Sequence, residues 1–210
     1  ILGILGIQGE NGQRKGFAKG NFFAHPGAKN STLSIFMNLW NKEIYYYDTN
    51  LEYRTEQFAG RFLNLLLEEM KQKRKSNVLF LCIGTDRSTG DSLGPLIGYK
   101  LAEQNMRNAS VIGTLDSPVH ALNLEYSVKR AEDIYSNSII VAIDASVGNV
   151  EHIGYVTLGR GPLKPGLGVQ KNLNAVGDMF ITGIVGASGN GDPFMLQSVR
   201  GSLHECQSYQ

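Results

Sequence analysis

Apolar residues follow two periods along this chain of 210 residues, and the change between them lays out its elements. Phe58, Phe62, Leu65, Leu66 and Met70 fall on one stripe at three-to-four spacing, which predicts a helix over about 53–73. Lys71, Lys73, Arg74 and Lys75 follow, where the end of a helix dipole favours cations. From residue 77 onward the apolar positions become continuous. The runs at 78–83 and 139–143 read as strands covered on both faces, and 111–115 as a weaker one. A helix over about 93–107 separates the first two strands. Ser117-Pro118 reads as a cap and first-turn proline opening a helix to about 132. Residues 44–47 suggest a peripheral strand, 152–158 and 180–185 two more, and Asp192-Pro193 the start of a last helix near 194–206. Strands alternating with helices predict an α/β protein, a three-layer α/β/α arrangement around a mostly parallel sheet.

Composition narrows this picture. The chain is 42% hydrophobic and 19% charged, enough to bury one core without staples. Residues 1–36 hold seven glycines, show no clear period and precede the first methionine, Met37. They are expected to be a disordered or non-native extension, leaving a single domain over 37–210. A net charge of +1 argues against nucleic acid as a partner. No apolar stretch reaches the roughly 18 residues of a membrane span. The two cysteines are too few for a disulfide framework, so a cytoplasmic setting is expected.

The chemistry gathers at the strand-to-helix junctions. The first predicted strand leads into GTDRSTGDSLGP, with Asp86 and Asp91; the second ends at Asp116; the third ends at Asp144. Ligands of an open parallel sheet bind beyond the carboxyl ends of its strands, so Asp91, Asp116 and Asp144 are expected on one edge. Aspartate is also a common cap and turn residue, the bland reading of each. Asp144 is harder to dismiss, because it follows five apolar residues directly. Two carboxylates held close share a proton, so one can act as base and the other as acid. The same pair would also suit a divalent cation. The residue pattern does not choose between these outcomes. Arg87 and His120 stand near the same edge. The glycine-rich stretch 159–178 reads as a rim or lid over it, with Lys171 as an oxyanion partner. Ser88, Ser92 and Cys82 have no adjacent histidine–acid arrangement, which disfavours a serine or cysteine nucleophile.

The stretches FLCIGTDRSTGDSLGP, GTLDSPVHALNL, IDAS, GPLKPGLGVQK and VGDMFITGIV resemble the YyaC-type sporulation proteins over about residues 77–200. More distantly, they are similar to the spore germination protease and the hydrogenase maturation peptidases. The resemblance implies a phosphorylase/hydrolase-like fold and a peptidase working in the cytoplasm of a sporulating cell on a protein or peptide substrate. It implies Asp91, before Ser92-Leu93-Gly94-Pro95, and Asp144, before Ala145, as the catalytic acid pair. Residues 161–169 look like a glycine- and proline-containing loop of the germination protease. Hydrogenase maturation peptidases use the same two acidic positions and a histidine to bind nickel, and this chain has no clear counterpart of that histidine. Thr85-Asp86-Arg87 replaces the Gly-Asn type of turn of the better-known relatives. Thr85, Asp86, Arg87, Asp116, His120 and Lys171 are the expected substrate contacts. The alternatives are a non-catalytic protein-binding module on the same fold and a metal-dependent hydrolase.

Overall fold

A computed structural model describes residues 43–165 and 174–187. In chain order its elements are β1 (Ile44–Asp48), α1 (Tyr53–Lys73), β2 (Asn77–Cys82), α2 (Leu93–Ala102), β3 (Ala109–Ile112), α3 (Leu124–Ile134), β4 (Ser138–Gly148), β5 (Tyr155–Arg160) and β6 (Met179–Ala187). They form an α/β fold around one six-stranded sheet of order β1-β5-β6-β4-β2-β3. β6, β4, β2 and β3 run parallel; at one side β5 pairs antiparallel with β6, and β1 pairs antiparallel with β5 and so runs in the same direction as β6.

The continuous apolar runs are explained by what covers them. In β2, Val78, Phe80 and Cys82 join the core beneath α1 and α2. Leu79 and Leu81, with Ile83 just after them, join a second core beneath α3. A strand whose alternate residues face two helical layers has no place for a polar residue. α1 enters the first core through Phe58, Phe62, Leu65 and Leu66. The Phe58 ring stands edge-on to Tyr47 at 5.4 Å and stacks on Phe62 at 6.3 Å. Truncating Phe62 to alanine removes contacts of a kind typically worth ~3–5 kcal/mol. α1 stops at Arg74, which turns left-handed (φ 54°) while Lys75 N–H returns to the Met70 carbonyl at 3.0 Å.

Several local expectations are corrected. The helix after β2 ends at Ala102, short of 107. β3 covers Ala109–Ile112, so Asp116 lies four residues past its end and not at its tip. Ser117-Pro118 caps no helix. Val119 instead bridges to Ile83 in parallel, prolonging the sheet, and α3 starts later behind Asn123. Asn123 Oδ1 accepts from the His120 N–H at 2.8 Å, and its amide donates to the Pro118 carbonyl at 3.1 Å, so this short turn is built by a side chain. His120 therefore precedes the helix and is not in its first turn. β4 does not end at Asp144 but continues to Gly148, paired with β6. Residues 1–36, Lys171 and the helix expected near 194–206 lie outside the described residues.

Candidate active site

The connectivity singles out one place on the sheet. From β2 the chain crosses to β3 on one side, then returns past β2 to β4 on its other side. Helix α2 covers one face and α3 the other. Strand order thus reverses between β2 and β4, and the crevice beyond their carboxyl ends is where such sheets bind ligands. Asp144 lies on β4 one residue beyond Ile143, the partner of the last β2 residue, Cys82. Asp91 lies in the short 3-10 turn Gly90–Ser92 that leads from the β2 loop into α2.

Backbone packing holds Asp91 over this crevice. The loop closes through the Thr85 N–H donating to the Asp91 carbonyl at 3.0 Å. At Gly84 (φ +144°) a Cβ would stand 2.0 Å from that same carbonyl. At Gly94 a Cβ would stand 2.0 Å from the Ile83 carbonyl. Only glycine permits both approaches, and together they press the start of α2 onto the end of β2. The glycines of the first loop therefore set the height of Asp91 above the sheet.

Asp144 is 6% exposed, and its Oδ1 accepts from the Ala145 N–H at 2.8 Å. Burial and then the nearby negative charge of Asp91 push its carboxyl up to about 7, against the smaller opposing effect of the Ala145 N–H. The two carboxyls thus interact across the switch point. The register sets Thr182 of β6 beside Asp144, and Thr157 of β5 beside Thr182. Thr157 Oγ1 and Thr182 Oγ1 lie 2.7 Å apart, and Ser146 Oγ donates to Thr182 Oγ1 at 3.1 Å. This row of hydroxyls escaped the sequence reading. Only the Asp-x-Ser spacing of Asp144 and Ser146 on one strand face hinted at it.

The other expected site residues are spread more widely. Thr85 is half-buried and its Oγ1 accepts from the Arg87 N–H at 3.3 Å, while Asp86 and Arg87 are exposed on the loop. Asp116 is exposed on the β3 side of β2, with that strand between it and β4. His120 is half-buried; its Nδ1 accepts from the Leu122 N–H at 3.3 Å, which leaves the neutral ring's proton on Nε2. Cys82 is buried and its thiol is pushed up to about 12 by burial, so it is no nucleophile at neutral pH. Among the described residues no group of three or more His, Cys, Asp or Glu stands together to hold a metal. The Asp91–Asp144 pair is what a cation would meet at this edge.

Residues 50–204 match the family described as "Protein of unknown function (DUF1256)", most of the chain. The chain belongs to the DUF1256 family. It is also 43% identical over 145 residues to the "Uncharacterized protein YyaC" of Bacillus subtilis (strain 168), covering 69% of this chain and 71% of that protein. The DUF1256 match takes in α1 to α3, β2 to β6 and both aspartates of the crevice. None of the described helices is long and apolar enough to cross a membrane.

Proposed function

We propose that this DUF1256 protein is a peptidase that hydrolyses a peptide bond with Asp91 and Asp144, acting on a protein substrate in the cytoplasm of a sporulating cell. The observation that carries this reading is the raised carboxyl of Asp144, buried at the switch point and facing the charge of Asp91. A pair of this kind keeps one proton near neutral pH. Asp144 is the member placed to hold it. In the reaction Asp91 takes a proton from water as the water oxygen adds to the peptide carbonyl. Asp144 gives its proton to the departing amide nitrogen as the C–N bond breaks. The two carboxyls then exchange a proton through solvent to restore the starting state. Thr85, Asp86 and Arg87 form the loop lip from which substrate contacts would come, with Asp116 and His120 on the β3 side. The family resemblance supplies the peptide substrate and the sporulation setting.

The test is cleavage of proteins from sporulating cells by wild type, Asp91→Asn and Asp144→Asn. Each variant is expected to lose at least about a hundredfold in rate, the usual worth of a positioned acid or base. Wild-type cleavage is expected to fall as pH rises through about 7, where Asp144 loses its proton. Equal cleavage by all three proteins overturns the acid pair, whereas no cleavage by any of them, wild type included, favours the binding-module reading. Activity appearing only with added divalent cations favours the metal-dependent one.

A further inference from the structure

A polar cleft lies on the opposite side of the sheet order from β2 and β3. Helix α1 carries, beside its apolar stripe, a polar stripe at the same spacing: Arg54, Gln57, Arg61 and Asn64. With Tyr45 and Tyr47 of β1, this stripe lines a cleft of about 470 Å³, within the size range of small-molecule sites. Gly60 forms part of its wall in the interior of α1, where glycine is a poorer helix former than alanine. A Cβ there would meet nothing within 4 Å, so the glycine leaves open space that any other side chain would enter.

The fold uses only part of the donor capacity in this cleft, Arg61 toward Tyr47 and Arg54 toward Gln57. Arg54 Nη1 donates to Gln57 Oε1 at 3.0 Å, but its Nε is buried without a hydrogen-bond partner among the described residues. Arg61 lies over the Tyr45 ring, 4.5 Å from its centroid. Among the described residues, the ion pairs involve other cations and neither of these guanidiniums. Glu56 on the rim is exposed. Two guanidiniums of like charge lining one cleft are relieved by an anion, and the guanidinium fork matches carboxylate and phosphate geometry.

We propose that the cleft between β1 and α1 binds an oxyanion, the carboxylate or phosphate group of a small ligand held between Arg54 and Arg61. The site is separate from the Asp91–Asp144 crevice, and its test uses no peptide cleavage. The Nε–H resonance of Arg54 is followed in the full chain by NMR during titration with inorganic phosphate and with succinate, against chloride at equal ionic strength. A saturable shift with either probe and not with chloride is expected, and the probe that binds more tightly names the group. Arg54→Gln and Arg61→Gln, followed by calorimetry, are expected to weaken binding about tenfold or more. Gly60→Leu is expected to fold with an unchanged or higher melting temperature and to lose binding, because its side chain fills the cleft. A shift no different from that with chloride overturns the proposal, as does wild-type binding by folded Gly60→Leu.

Discussion

Two buried or half-buried aspartates stand at opposite ends of the parallel strands and meet opposite surroundings. Asp178, just before β6, lies at the edge where β4 begins. Its Oδ1 meets Lys73 Nζ at 2.5 Å, its Oδ2 accepts from the Ile140 N–H at 2.8 Å, and Lys75 Nζ lies 3.8 Å away. Burial alone would raise this carboxyl, but the lysines and the Ile140 N–H outweigh it and hold the pKa below the usual carboxylate value. Nearby, Arg160 at the end of β5 pairs with Glu68 and the buried Glu69 of α1. Asp144, at the other edge, faces the negative charge of Asp91 and is raised to about 7. The same side chain thus secures the fold at one end and is held under electrostatic tension at the other. Charges arranged for stability are paired, whereas a carboxyl raised by burial and a like charge is what the proposed acid pair requires.

The contrast can be broken most sharply at Asp144. Its raised pKa means the folded state holds the proton more tightly than the unfolded one, so stability falls as pH rises from about 4 to about 7. Above that range the penalty is on the order of 4 kcal/mol. Asp144→Asn is therefore expected to stabilise the protein by up to about that amount at pH 8 and hardly at all at pH 4. Urea unfolding at both pH values measures the difference; a destabilised variant at pH 8 would count against the tension. Removing only the neighbour sharpens the point: Asp91→Asn should lower the Asp144 carboxyl from about 7, as read by carboxyl carbon NMR.

At the paired edge the sign reverses. Asp178→Ala removes two ammonium partners and strands the Ile140 N–H, and should cost ~2–3 kcal/mol at neutral pH. Because the Asp178 pKa is lowered, its contribution is present above the unfolded value of 3.8 and disappears as pH falls through the folded value. Denaturant melts at pH 7 and pH 2.5 should show the variant's deficit shrinking in acid. The smallest effect is expected at Lys73, whose side chain is 38% exposed and screened by solvent. Lys73→Ala should cost only ~0.5–1 kcal/mol, and added salt should diminish that cost.

The chain's own pattern determined much of this. The apolar stripe of α1, the two continuous runs that became β2 and β4, and the α/β layering follow from side-chain periods that any local conformation must satisfy. Asp91 and Asp144 were visible as candidates, because loops and residues next to buried strands are local features. Sequence alone placed Ser117-Pro118 as a helix cap and Asp144 at a strand end. Both failed for one reason: pairing with a distant strand, Ile83 in one case and β6 in the other, outweighed the local signal. Only the tertiary structure decided that strand order reverses between β2 and β4, bringing two aspartates 53 positions apart in the numbering onto one crevice. It also set Thr182 and Thr157 in register with Asp144, and gave Asp178 cations where Asp144 met an acid. Local periods carry no record of which strands become neighbours. Desolvation and charge proximity depend on those neighbours and on little else.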